Sequence, residues 1–265
     1  MDYKRIQLKM DDDIAVLTLN HPEALNAISM RMLNELSNAL GLIEEPENGI
    51  RCLLITGAGR GFCAGANLTD PDRDVAQERN LDDSQSLDTT YNPMFMRLRE
   101  LRMPVVTAVN GPAAGVGMSL ALMGDLVFAA RSAYFYQAFR YVGLVPDGGA
   151  TFILPRLVGL SRAMELSFLA EKLPAEKALD WGLITRVYDE DQLMPESLKV
   201  AKELAAGPTV SFGMMRRIYW ESLDNTYEQQ LHLESIMQIR ANSTEDFAEG
   251  VMAFREKRPP VFKGK

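Results

Sequence analysis

Two glycine-rich runs, each following an apolar stretch, constrain this chain more than any other feature. Residues 57–68 read GAGRGFCAGANL and follow the strand-like segment 51–56; residues 111–125 read GPAAGVGMSLALMGD and follow the apolar segment 105–109. Small residues let main chain approach a ligand or another turn, because little or no side chain stands in the way. Two such turns can aim two peptide N–H groups at one oxygen atom, which is how a protein stabilises negative charge growing on a carbonyl.

A dinucleotide-binding turn is the first alternative, since Gly59, Gly61 and Ala64 satisfy the spacing G-x-G-x-x-A after a strand. That fingerprint needs a helix to begin at once and carry its dipole to a pyrophosphate, whereas NLTDPD at 67–72 supplies loop formers. In the second run the final small position is Leu120. Nicotinamide binding is disfavoured on both counts.

The remaining class limits come from composition. A chain of 265 residues, 47% of them hydrophobic, can bury one large core or a main core with a small appended domain. Its net charge of -8 argues against a general polyanion binder, so no nucleic-acid partner is expected. The most apolar stretch, 118–130, is interrupted by Asp125 and falls short of the roughly 20 residues that span a bilayer. The start MDYKRIQLKMDDD has no apolar core of a secretory leader. Two cysteines, Cys52 and Cys63, are too few for a disulfide framework and have no metal-ligand spacing. These features read as a cytoplasmic protein with no membrane segment and no metal.

Residues 4–9 and 13–20 alternate apolar and polar around an acidic turn, predicting a hairpin. Ser29 is placed to cap a helix whose Leu33, Leu36, Leu40 and Ile43 form one stripe. Residues 70–92 are polar and acidic and read as a long loop, followed by a helix at about 94–101. Strand and helix patterns then alternate to about residue 190, which is α/β organisation. Beyond it the sequence is helical, with Pro195, Pro208 and the residues 243–246 marking helix starts. The expected division is a core over 1–190 and a helical C-terminal region over 191–265.

The two glycine-rich runs, NHPEALNAI at 20–28, GLVPDGGAT at 143–151 and the tail AFREKRPPVFKGK together resemble the crotonase superfamily of enoyl-CoA hydratases and isomerases, over essentially the whole chain. The resemblance implies an α/β crotonase spiral of β-β-α units, a C-terminal helical trimerisation region and acyl-CoA thioester substrates. It implies no cofactor beyond the coenzyme A that the substrate carries, and assembly as a homotrimer or a dimer of trimers, in which apolar positions such as Leu231, Ile236 and Ile239 are covered. The strongest likeness is to the phenylacetate-pathway branch, which isomerises ring-epoxidised phenylacetyl-CoA. It rests on RCLLITGAGRGFCAG, YNP at 91–93, AARSA at 129–133 and GLVPDGGATFILPRL at 143–157.

Carried over residue by residue, the resemblance puts the oxyanion hole on the N–H groups of Ala64 and Val116. Ala24 and Leu25 then contact the nucleotide arm, Ala64, Ala66 and Leu68 flank the adenine, and Phe254 and Lys257 reach a neighbouring subunit's CoA site. Met94, Met96, Met103, Met118 and Met123 are candidates for an acyl pocket, against the simpler reading that methionine fills core gaps. Hydratases of the family use two glutamates at places held here by Ser119 and Phe139. Hydration therefore lacks its usual acid and base.

Asp147 is the carboxylate that remains. One carboxylate suffices for allylic isomerisation, removing a proton from one carbon and returning it to another while the oxyanion hole holds the dienolate. An apolar neighbour such as Phe139 is expected to raise its pKa by desolvating the anion. Pro-Asp-Gly is equally good turn chemistry, and Asp is a favoured N-cap, so the local sequence alone divides evenly between the two roles. In the 4-chlorobenzoyl-CoA dehalogenase branch the same aspartate is a nucleophile, but that reaction needs an activating histidine. His21 and His232 are the only histidines, and neither falls at the required place.

Overall fold

A computed structural model describes residues 3–68 and 87–265. The hairpin forms as expected, from β1 (Ile6–Asp11) and β2 (Ile14–Leu19) with Ile6 opposite Leu19. Parallel to β2 lie β3 (Cys52–Gly57), β4 (Val105–Val109), β6 (Leu126–Ala130) and β9 (Arg186–Tyr188), giving the order β1-β2-β3-β4-β6-β9. Every residue of β4 is buried, and all of β3 but its last. Such continuous apolar runs, without alternation, mark strands covered on both faces.

A second layer is built of shorter pieces. Here β5 (Ala113–Ala114), β7 (Tyr134–Tyr136) and β8 (Leu173–Pro174) pair in that order. Single parallel bridges, Ile28 with Ala66 and Cys63 with Ala113, lie outside the named strands. Along the chain each long strand is followed by a piece of this layer and then a helix. β2 leads to Ile28 and α1 (Met30–Glu44), β3 to Cys63 and Ala66 and later α2 (Asn92–Glu100), β4 to β5 and α3 (Val116–Ala121), and β6 to β7 and α4 (Ala150–Val158). This is the β-β-α recurrence of the crotonase spiral.

Helix starts follow local chemistry. Ser29 Oγ accepts the Met32 N–H at 3.1 Å, and the expected stripe of α1 is buried. α2 begins two residues before the expected helix, straight out of a π-helical turn at Leu87–Tyr91. Pro93 sits in its first turn, where a missing N–H costs nothing. The expected loop lies outside the described residues over 70–86.

The C-terminal third is helical: α5 (Leu160–Leu169), α6 (Ala175–Asp180), α7 (Glu190–Ala205), α8 (Thr209–Ser222), α9 (Tyr227–Asn242) and α10 (Glu245–Glu256). Pro208 and Thr244 stand at the N-caps of α8 and α10, but Pro195 lies inside α7 rather than starting it. That helix begins at Glu190, where two acidic residues in its first turn suit the positive end of the helix dipole. α9 opens on a capping box: Thr226 Oγ1 accepts the Gln229 N–H at 3.3 Å and Gln229 Oε1 accepts the Thr226 N–H at 2.8 Å. The sequence reading passed over this Thr-x-x-Gln signal.

These helices are tied to the spiral. Leu193, Ala201 and Ala205 of α7 join the same apolar core as the large sheet. From α8, Arg216 reaches the Asp125 carboxylate at 2.6 Å and donates to the carbonyls of Leu98 and Leu101 at the end of α2. Arg51 grips the tail through Thr209 Oγ1 at 2.8 Å and the Phe262 carbonyl at 3.2 Å.

Candidate active site

The loop before α1 is locked by a residue that the sequence reading had not singled out. Asn26 is fully buried in a left-handed conformation (φ 57°) that asparagine tolerates better than most residues. Its Oδ1 accepts the His21 N–H at 2.8 Å, and its Nδ2 donates to the carbonyls of Ala58 at 2.9 Å and Gly61 at 2.8 Å. The segment 20–28 is thereby stitched to the first glycine-rich run. Leu25, also left-handed at φ 49°, packs beside Gly61, and both it and Ala24 are half-buried.

This stitching corrects one assignment. The Ala64 N–H donates to the Leu25 carbonyl at 2.9 Å, so it is occupied within the protein and cannot serve a ligand oxygen. Two residues on, the Ile28 N–H donates to Gly65 O at 2.7 Å and the Asn67 N–H to Ile28 O at 2.8 Å. In a parallel bridge of this kind the residue between those two, Ala66, turns its own N–H to the other side. Among the described residues no main-chain carbonyl accepts it. Gly65 at φ 104° makes the change of direction, and a Cβ there would stand 3.1 Å from the Ala114 carbonyl oxygen of the second run.

In the second run, Gly115 at φ 51° donates to the Tyr136 carbonyl at 2.8 Å and caps α3. The Val116 N–H is the first of that helix, has no main-chain acceptor among the described residues, and lies at the positive end of the helix dipole. Cys63 sets the spacing between the runs. Its N–H donates to Pro112 O at 3.0 Å, its carbonyl accepts the Ala114 N–H at 2.9 Å, and any Cβ at Gly117 would overlap that carbonyl and come within 2.7 Å of Sγ. Burial pushes the Cys63 thiol up to about 12, so it stays protonated and acts as a neutral spacer.

Asp147 opens a tight turn over residues 147–150, closed by the Ala150 N–H on the Asp147 carbonyl at 3.1 Å. Both central residues are left-handed, Gly148 at φ 58° and Gly149 at φ 80°, the type I′ pattern that glycine adopts at least cost. Gly149 is the N-cap of α4, with no side chain capping it. Asp147 therefore does not spend its carboxylate on the helix end. Its Oδ1 is buried without a hydrogen-bond partner among the described residues, and burial pushes the carboxyl up to about 6, with its own main-chain amide opposing the shift.

Ser119, in the place of a hydratase glutamate, is fully buried and donates to the Asp147 carbonyl at 2.9 Å. Phe139 packs its ring against Gly115, 3.6 Å from the position of a Cβ there. The aromatic ring against Asp147's own turn is Phe95 of α2, which with Ser119 encloses Gly148. Phe95 was missed because it reads as one more member of an apolar helix stripe. Gln137 was missed too: it is fully buried, its Nε2 lies 3.3 Å from Met118 Sδ, and its Oε1 has no partner among the described residues.

The other expected residues divide by position. Leu68 is half exposed just beyond Ala66. Met94, Met103, Met118 and Met123 belong to the core, while Met96 is exposed. Phe254 is 85% exposed and lines, with Leu231, Phe247 and Val251, a cavity of about 900 Å³ among α8, α9 and α10. None of the residues on the glycine-rich runs or the Asp147 turn lines that cavity. Lys257 is the exposed, left-handed C-cap of α10. His232 is exposed, whereas His21 is buried with Nε2 3.5 Å from Glu23.

The site thus combines two amides on adjoining turns, those of Ala66 and Val116, that no main-chain carbonyl accepts among the described residues, with a third turn whose Asp147 Oδ1 is buried and without a partner among them. Comparison with known proteins gives the family. The enoyl-CoA hydratase/isomerase family profile matches residues 9–265. Over 256 residues the chain is 44% identical to the 1,2-epoxyphenylacetyl-CoA isomerase of Escherichia coli (strain K12), covering 97% of each. Over 265 residues it is 40% identical to a probable enoyl-CoA hydratase of Rhodobacter capsulatus, covering both in full. The crystal structure of an enoyl-CoA hydratase from Bacillus anthracis superposes with a TM-score of 0.90 at 29% identity, covering 99% of this chain and 100% of that one. The chain belongs to the enoyl-CoA hydratase/isomerase family and has its crotonase fold.

Proposed function

We propose that the protein is an acyl-CoA isomerase in which Asp147 moves a proton between carbons of the acyl group. The thioester oxygen sits between the N–H groups of Ala66 and Val116, which stabilise the enolate as it forms. Asp147 removes the proton from one carbon and, now protonated, returns it to another, so the substrate and product have the same composition. A carboxyl whose pKa is raised to about 6 is suited to both halves, since catalysis by proton transfer is most efficient when the pKa lies near the working pH. The coenzyme A arm follows Ala24, Leu25, Ala66 and Leu68, and Phe254 and Lys257 serve a neighbouring subunit in a homotrimer or a dimer of trimers. No cofactor besides that coenzyme A enters the reaction.

The observation that carries this reading is the Asp147 Oδ1, buried and without a partner among the described residues. Ser119 and Phe139 at the glutamate places favour isomerisation over hydration, which needs a second acid–base group to activate water. The acyl group proposed is an enoyl chain or, as in the name of the Escherichia coli relative, a 1,2-epoxyphenylacetyl group, whose α-carbon is acidified by the same thioester.

The test is turnover of straight-chain enoyl-CoAs and of 1,2-epoxyphenylacetyl-CoA in heavy water and in ¹⁸O-labelled water. The expected result is a product without labelled oxygen, carrying deuterium at the α- or γ-carbon in the fraction of turnovers in which protonated Asp147 exchanges with solvent before returning its proton. Asp147→Asn should lower kcat by about 10²- to 10⁴-fold while leaving acyl-CoA affinity within a few fold. Labelled oxygen in the product would establish a hydratase, and unimpaired turnover by Asp147→Asn would remove the mechanism.

A further inference from the structure

We propose that Ser119 is the positioning residue for Asp147, holding the main chain of its turn so that the carboxyl stays aimed at the acyl group. The proposal rests on the reading of Asp147 as the acid–base group. Ser119 projects from α3, the helix whose first N–H is one of the two oxyanion donors, so one short helix carries both a donor and the tether of the acid.

The geometry is that of a clasp. The Asp147 carbonyl accepts two hydrogen bonds, from the Ala150 N–H at 3.1 Å and from Ser119 Oγ at 2.9 Å. The first closes the turn on itself, and the second fixes the closed turn to α3. Gly148 is gripped from two directions: a Cβ built there would stand 2.8 Å from Ser119 Cβ and 2.9 Å from the Phe95 ring. Apart from its own main-chain N–H the carboxyl has no such tether, because Oδ1 makes no hydrogen bond among the described residues. Its position is therefore inherited from the main chain, and the main chain is held by Ser119.

Without the Ser119 hydroxyl the turn keeps its internal hydrogen bond but loses its register on α3. A displacement of the order of 1 Å at a reacting group costs about 10²-fold in rate. Ser119 does not touch the acyl group in this account, so substrate affinity should be nearly unaffected.

The experiment compares Ser119→Ala, Ser119→Cys and Asp147→Asn, singly and with Ser119→Ala combined with Asp147→Asn, in the full chain. Ser119→Ala should lower kcat by about 10- to 100-fold with KM within about threefold, and should move the pH midpoint of kcat/KM. Ser119→Cys, a similar size with a weak S–H donor, should fall between Ala and wild type. The double variant should be no slower than Asp147→Asn alone, because Ser119 acts only through that carboxyl. A Ser119→Ala enzyme with wild-type kcat and pH midpoint would overturn the proposal, as would a double variant slowed by the product of the two single effects. A change in thermal midpoint without either kinetic change would mark a purely structural serine and overturn it equally. Asp147→Asn inactive beside an unimpaired Ser119→Ala overturns this proposal alone, whereas full turnover by Asp147→Asn overturns the acid–base assignment on which it rests.

Discussion

Two carboxylates beside α3 are both shifted upward by burial, yet they have opposite surroundings. Asp125 accepts Arg216 Nε at 2.6 Å and the Val105 N–H at 2.7 Å, and the guanidinium opposes the effect of burial. Asp147 has a turn built around its main chain and nothing on Oδ1 among the described residues. Set side by side, the two show how a fold separates architecture from chemistry. A carboxylate whose hydrogen bonds are filled fastens α8 to the spiral; one with an oxygen left open is free to serve the proton transfer proposed for it.

The largest effect bearing on this contrast lies at the fastened pair. Arg216→Met should cost about 3 kcal/mol in urea unfolding, because it leaves the partly exposed Asp125 carboxylate without its cation and the Leu98 and Leu101 carbonyls without their donor. Adding Asp125→Leu should recover a large part of that loss. A single variant with the wild-type midpoint would show that the pair is not a fastening.

Next in size are backbone substitutions that remove one N–H without altering a side chain. An ester in place of the Ala66 amide should lower kcat by about 10²- to 10³-fold, the usual effect of losing one oxyanion donor. The same change at Ala64 should instead cost about 1 kcal/mol of stability, through its lost hydrogen bond to Leu25, and spare kcat. The reverse pattern would restore Ala64 to the oxyanion hole.

The smallest effect is a stability difference with a definite sign. The Asp147 carboxyl titrates at about 6 in the folded chain against 3.8 for an exposed aspartate. Below the lower value it is protonated in both states and carries no penalty. As pH rises through about 6 the folded state must hold a buried anion, and stability is lost. Asp147→Asn should therefore have a higher thermal midpoint than wild type at about pH 8 and lose that advantage near pH 3–4. An advantage that is independent of pH would place its origin outside this carboxyl.

What could be read from sequence was what depends on near neighbours. The hairpin, the Ser29 cap and the α1 stripe follow from periods of two and of three to four residues, and from one capping hydroxyl. Asp147 was found by its place in a motif, but whether its carboxyl capped a helix depended on Gly148 and Gly149 both turning left-handed. The Ala64 and Ala66 amides would face the same side of a regular strand. Gly65 at φ 104° reverses that, and the carbonyl that claims Ala64 comes from Leu25 in a distant part of the chain. Phe95 and Arg216 are invisible for the same reason, since each gains its meaning from residues far along the sequence.

The most direct measurement is a ¹³C NMR titration of the side-chain carboxyls in the free protein, with the Asp147 signal identified by its loss in Asp147→Asn. The account predicts a midpoint near 6, matched by the rising limb of kcat/KM against pH. A carboxyl that titrates near 3.8, like one exposed to water, would contradict it.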